Sequence, residues 1–137
     1  MMFYVDTSVL LRHVLGEPGA LKEFLEIDHV ASSELIRVEA HRSVDRYRIR
    51  TKQREEDYVF RLELLHQYLA NFELIPITSR ILDHASQRLP LVLGTLDAIH
   101  LATCILYAEQ NQRDISLCSH DESLKNAGRA MGLTVIG

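Results

Sequence analysis

The chain has 137 residues, 47% apolar and 25% charged, with a net charge of −4 and two cysteines. That length suits one domain, 1–137, burying roughly two-thirds of its extended-chain surface. No apolar run reaches the roughly 18 residues of a membrane span, and Asp6 interrupts the N-terminal run with no positive segment before it, so neither a span nor a secretory signal fits. The acidic balance argues against nucleic-acid binding through bulk charge alone, and Cys104 and Cys118, each inside an apolar stretch, suit buried thiols of a cytoplasmic protein.

In chain order, Met1 to Val5 reads as a buried strand and "TSVLLRHVL" as a helix capped by Thr7 or Ser8. "GEPGALKEFLE" punctuates the chain and then places Leu21, Phe24 and Leu25 at helical spacing. "HVASS" is a short strand, and Glu34 to about Arg50 suits a long helix whose Leu35, Val38 and Arg42 suggest packing on the side near Glu39. Tyr58, Leu62, Leu65 and Leu69 mark another helix; "FELIPI" is a strand whose proline favours the sheet edge. Ile81, Leu82, Ala85 and Leu89 give a helix, "LPLVLG" a connection, and "TLDAIHLATCILYAEQ" a strongly apolar helix. "DISLCSH" is a strand, "DESLKNAGRAMG" a helix closed by Gly132, and "LTVI" the last strand. Such alternation predicts an α/β domain, a parallel sheet with helices on both faces, and a ligand site beyond the carboxyl ends of its strands.

Four acids fall at that edge. Asp6 follows the first strand directly, and Asp121 follows "ISLCS" with only His120 between them. Glu39 lies a turn and a half into the helix after the second strand, and Asp97 sits in the first turn of the helix opened by Gly94 and Thr95. Taken singly, Asp6, Asp97 and Asp121 read as helix caps or first-turn charges, each stabilising by roughly 0.3 to 1 kcal/mol. Glu39 gains nothing from a helix dipole where it stands. Four carboxylates within about 5 Å would repel by on the order of 3 kcal/mol per pair at an effective dielectric near 20, and hard oxygen ligands of this kind suit Mg²⁺ or Mn²⁺. Such an ion supports phosphate-ester hydrolysis. Arg37, Arg42, Arg46, Arg48, Arg50, Lys52 and Arg54 make one locally basic segment, opposed by Glu39 and Asp45 and readable either as a solvated helix face or as a phosphate-contacting surface.

Four stretches resemble the PIN-domain ribonucleases, and within them the VapC-type toxins of toxin–antitoxin modules: "YVDTSVLLR", "ASSELIRVEAHRS", "LGTLDAIHLATC" and "SHDESLKNAGRAMGLTVIG". The resemblance implies a five-stranded parallel sheet in the order 3-2-1-4-5 and a Mg²⁺-dependent endoribonuclease leaving a 5′-phosphate and a 3′-hydroxyl. It makes Asp6 and Asp97 the metal ligands, Glu39 the acid that positions metal or water, and Asp121 the fourth acid, with Asp114 and Glu122 as alternatives at that variable position. Thr7 or Ser8 would support the first acid, and Ser119 the last. It further implies an RNA substrate, a cognate antitoxin lying across the groove, and a homodimer.

The competing readings are weaker on residues one can name. His100, Cys104, Cys118 and His120 lack the tight paired spacing of structural zinc sites. A receiver-type phosphoacceptor needs an acid where "FELIPITS" has none, and a haloacid-dehalogenase-like phosphatase needs an acid where Ser8 stands. The remaining alternative is a non-catalytic RNA- or protein-binding domain of the same fold.

Overall fold

The computed structural model describes residues 2–22, 24 and 29–137. In chain order the elements are β1 (Met2–Val5), α1 (Thr7–Val14), β2 (Val30–Ser33), α2 (Leu35–Thr51), α3 (Glu55–Ala70), β3 (Glu73–Ile75), α4 (Ser79–Ala85), α5 (Thr95–Asn111), β4 (Ile115–Cys118), α6 (Glu122–Ala130) and β5 (Thr134–Ile136). β1 is buried at every residue. Successive strand side chains point to opposite faces, so Phe3 and Val5 enter one core while Met2 and Tyr4 enter the other. A strand buried on both faces belongs in the middle of a sheet. The order is β3-β2-β1-β4-β5 with every pair parallel, and β3, the strand that runs into Pro76, lies at an edge as expected.

Helices α1, α2 and α3 cover the Phe3 face with Val9, Leu10, Val14, Ile36, Ala40, Val44 and Leu65. The Tyr4 face is covered by α5 and α6 through Leu101, Cys104, Ile105, Leu124 and Ala127, and α4 leans on α5 through Ile81, Ala102 and Leu106.

Three local expectations change. The cap of α1 is Asp6 itself, whose side chain accepts from Val9 N, rather than Thr7 or Ser8. The packed stripe of α2 is Ile36, Ala40 and Val44, whereas Val38 is 63% exposed. The helix through Ile81 stops at Ala85 and excludes Leu89, because Ser86 closes it, its hydroxyl donating to Leu82 O at 2.7 Å. The helix expected through Leu25 lies partly outside the described residues.

The chain leaves β1 for β2 and β3 on one side, then crosses to β4 and β5 on the other. The switch point is therefore the β1–β4 boundary, where ligands of open α/β sheets bind. Asp6 N donates to Cys118 O across that boundary at 3.2 Å.

Candidate active site

A groove of about 410 Å³ opens at the switch point, and Asp6, Glu39, Asp97 and Asp121 all line it. The four come from four separate segments, so only the fold brings them together. Asp114 precedes β4 and so belongs to the opposite sheet edge, while Glu122 is exposed and paired with Lys125 at 2.7 Å. Asp121 is the acid that reaches the groove after β4.

Asp6 is 4% exposed and ties two strand-end turns together. Its Oδ1 accepts from Ser8 Oγ at 2.5 Å and Val9 N at 3.3 Å, and its Oδ2 accepts from Ser119 Oγ at 2.5 Å. The same two hydroxyls accept in turn: Ser119 Oγ from Asp121 N at 3.0 Å, and Ser8 Oγ from His120 N at 2.9 Å. Asp6 is thus a cap and a groove acid at once. A carboxylate has about four lone-pair sites, and three are used.

Glu39 is held by different partners. Thr7 Oγ1 donates to its Oε1 at 2.8 Å, and His100 Nε2 lies 2.6 Å from the same oxygen. His100, 1% exposed, meets the Tyr4 hydroxyl through Nδ1 at 2.8 Å, and Tyr4 Oη accepts from Ser33 N at 3.1 Å. This network assigns the His100 proton to Nε2: Ser33 N–H gives to Tyr4, Tyr4 to His100, and His100 to Glu39. Burial opposes ionisation of Glu39, but the hydrogen bonds from His100 and Thr7 outweigh it and hold the carboxyl below its usual range. Burial pushes the Tyr4 phenol well above its ordinary value, so it remains a neutral donor.

Asp97 contrasts with both. Among the described residues no side chain or backbone N–H donates to its carboxylate. Burial raises its pKa first, and the charges of Asp121, Asp6 and Glu39 raise it further against a smaller opposing effect of His100. The first-turn position favours a negative charge, but burial and then the neighbouring acids raise the carboxyl above its ordinary value. Asp121 caps α6, its Oδ1 accepting from Leu124 N at 2.8 Å.

Arginines rim the groove on one side. Glu39, Arg42, Ser43 and Arg46 share the face of α2 beside the buried stripe of Ile36, Ala40 and Val44, and all four line the cavity. Arg42 itself lies 3.7 Å from Asp45 and Arg46 donates to Ser43 Oγ at 3.1 Å, while Arg48 lies over Tyr58 and pairs with Asp45 at 2.6 Å, and Arg50 lies over Tyr47. The segment divides into a groove edge and a packed or solvated remainder.

Could the acids hold a cation? Among the described residues no three His, Cys, Asp or Glu side chains stand together as a ready ligand cluster. The donor chemistry nevertheless fits a hard ion. Asp97 has both oxygens without protein donors, and Glu39 and Asp121 are each anchored through one oxygen with the other left over. Cys104 and Cys118 are buried in the core, and His100 is satisfied by Tyr4 and Glu39, so the softer ligand set is already in structural use. The His100–Tyr4 link, joining residues 96 apart in sequence, had no local signal to announce it.

The fold and the groove define a class, an α/β domain with an acidic, arginine-rimmed site at its topological switch point. The PIN domain family model matches residues 3–130, and the chain belongs to that family. It is 33% identical over 138 residues to Ribonuclease VapC46 of Mycobacterium tuberculosis, covering 97% of this chain and 95% of the relative. It is 30% identical over 139 residues to Ribonuclease VapC47 of the same species, covering 96% and 93%. Two solved structures share the fold: VapBC2 from Rickettsia felis bound to a promoter DNA fragment, with a TM-score of 0.68 at 16% identity over 99% of this chain and 98% of that one, and the toxin–antitoxin family member VapBC-5 from Mycobacterium tuberculosis, with a TM-score of 0.59 at 17% identity over 98% and 97%.

Proposed function

We propose that the acidic groove hydrolyses RNA phosphodiester bonds with Mg²⁺ or Mn²⁺, and that the chain acts as the toxic component of a type II toxin–antitoxin pair. The observation that carries this reading is Asp97: a partly buried carboxylate to which no group among the described residues donates, surrounded by three further acids. A structural cap has no need of that company, whereas a cation site does. The two curated relatives, both named ribonucleases and matched over nearly their whole length, support RNA as the substrate class.

Asp6 and Asp97 would hold the ion, whose Lewis acidity would neutralise phosphate charge and acidify a water. Asp6 is suited to the task because Ser8, Ser119 and Val9 fix its carboxylate from behind. Glu39, kept ionised and aimed by His100 and Thr7, is the residue to accept a proton from the attacking water. Asp121 adds negative charge at the far side, and Arg42 and Arg46 bind the flanking phosphates of the strand.

The two toxin–antitoxin structures that share the fold support a cognate antitoxin as partner, one that would cover the groove. A homodimer would set two such arginine-edged grooves side by side and reconcile an acidic chain with an RNA substrate. Among the described residues no helix is long and apolar enough to cross a membrane.

Cleavage of a labelled single-stranded RNA panel, total tRNA and rRNA tests the reading, with Mg²⁺, Mn²⁺ or EDTA and with Asp97→Asn prepared identically. Metal-dependent cleavage that drops to the EDTA background in the variant is expected. Equal cleavage by both preparations, or none by well-folded protein, would instead favour a non-catalytic binding domain.

A further inference from the structure

Away from the acids, two histidines face each other across the α2–α3 hairpin. His41 Nε2 and His66 Nε2 are 3.4 Å apart, with ring centroids 5.5 Å apart and planes inclined by 35°. His41 Nδ1 lies 2.6 Å from the carbonyl oxygen of Arg37. Only an N–H faces a carbonyl at that distance, so the His41 proton is on Nδ1 and the neutral ring offers its lone pair at Nε2. Metal-ligating histidines are oriented in the same way, by donation from the second ring nitrogen.

The spacing also suits an ion. A gap of 3.4 Å is longer than an ordinary N–H hydrogen bond of about 2.7 to 3.2 Å. Two imidazole nitrogens each about 2.05 Å from a tetrahedral ion stand about 3.3 to 3.4 Å apart. The rings now meet nearly end to end, and a small swing of the exposed His66 side chain turns that pair into the V such an ion requires. The backbones are fixed in place for it, because His41 and His66 directly follow Ala40 and Leu65, both fully buried where α2 and α3 enter the core.

We propose that His41 and His66 form a surface site for a transition-metal ion of the Zn²⁺ class, with one imidazole from each helix and water completing the shell. Imidazole nitrogen selects Zn²⁺, Cu²⁺ or Ni²⁺ over Mg²⁺, so the site is chemically distinct from the carboxylate groove and does not depend on the function proposed for it. Binding places the ion between the two Nε2 atoms and links α3 to the helix that carries Glu39, Arg42 and Arg46. Arg37 and Arg42 line the same shallow hollow as His41 and oppose a dication, offset in part by Glu34. The site is therefore an open, exchangeable one rather than a closed structural centre.

The test is calorimetric titration of tag-free, EDTA-stripped protein with Zn²⁺, repeated with Ni²⁺, on wild type, His41→Ala, His66→Ala and Asp97→Asn. Histidine ring proton spectra report which imidazoles respond. A Zn²⁺ binding event that shifts the His41 and His66 resonances together is expected, at least about tenfold weaker in either histidine variant and retained in Asp97→Asn, which removes only a separate event at the carboxylate groove. Zn²⁺ should also raise the melting temperature of wild type but not of His66→Ala. Zn²⁺ titration of wild type that leaves the His41 and His66 resonances unmoved, or an isotherm identical in wild type and both histidine variants, overturns the site. His66 is exposed, so its variant keeps the test decisive if His41→Ala folds poorly.

Discussion

Both edges of the sheet carry a glutamate, a histidine and a tyrosine, and the two sets are wired differently. At the carboxyl edge they form a chain, Tyr4 to His100 to Glu39, buried at Tyr4 and His100. At the amino edge both partners converge on one oxygen: Tyr107 Oη donates to Glu73 Oε2 at 2.6 Å, and His29 Nε2 lies 2.6 Å from the same atom, with His29 and Glu73 nearly half exposed. Each arrangement lowers the pKa of its glutamate, Glu73 mainly through Tyr107 and Glu39 through His100 and Thr7 against the cost of burial. What separates them is company. Three other carboxylates share the cavity of Glu39, whereas Glu73 joins His29 to Tyr107 of α5 across the amino edge. An ionised glutamate is thus no sign of chemistry until its neighbours are counted.

The comparison breaks most sharply on activity. Glu39→Gln keeps the shape and removes the proton acceptor, so cleavage should fall by about 10² to 10⁴-fold, the range of general acid–base contributions. Glu73→Gln should leave it within about twofold. Single-turnover cleavage of the same RNA by both variants reads the difference, and equal losses would mean that the carboxyl edge is no more chemical than the amino edge. Stability separates the sets by less. His100→Ala strips a buried ring from between Tyr4 and Glu39, leaving groups that cost about 1 to 3 kcal/mol when unpaired. His29→Ala removes an exposed partner and should cost at most about 1 kcal/mol. Urea denaturation of the two variants checks the ordering.

The strand and helix alternation was legible in the sequence because the strands are short apolar runs between capped or glycine-closed helices, and a β3 ending in Pro76 could be assigned to an edge on sight. The order β3-β2-β1-β4-β5 came from resemblance, since periodicity does not say which strand pairs with which. Asp6 and Asp121 were legible because a strand end fixes where the next residue lies. The inner face of α2 was not: the helix carries two apolar stripes, Leu35 with Val38 and Ile36 with Ala40 and Val44, and only docking on the sheet chooses between them. The role of His100 was hidden for a related reason, as its partners Tyr4 and Glu39 lie 96 and 61 positions away. Of the hydroxyls, Ser8 supports the first acid as one of the two expected candidates, and Ser119 turns to that acid rather than to the last. Thr7 supports Glu39 instead, an assignment that depends on rotamers rather than spacing.

The arginine edge of the groove gives a smaller, sequence-independent effect. If Arg42 and Arg46 contact phosphates, each replacement by alanine should weaken RNA binding and reduce the slope of log affinity against log salt by about 0.7, the single-strand value per phosphate. Arg50→Ala, whose side chain lies over Tyr47, should leave the slope unchanged. Binding to an Asp97→Asn background across a salt series measures this without cleavage.

The smallest effect concerns the acid that most needs a cation. The folded-state pKa of Asp97 is raised by burial and then by Asp121 and Asp6, so its contribution to stability is full below the unfolded value near 3.9 and is lost as pH rises through the higher folded value. At neutral pH the charge therefore destabilises the metal-free protein, and Asp97→Asn should melt at a higher temperature than wild type. At a pH below the unfolded value that advantage should vanish, because wild type is then neutral at the same position. Saturating Mg²⁺ should narrow the gap at neutral pH by stabilising wild type more than the variant, since Asp97→Asn removes one of the two acids proposed to hold the ion. A variant that melts lower than wild type at neutral pH would show that Asp97 is held by the helix dipole after all, and would return it to the role of an ordinary first-turn charge.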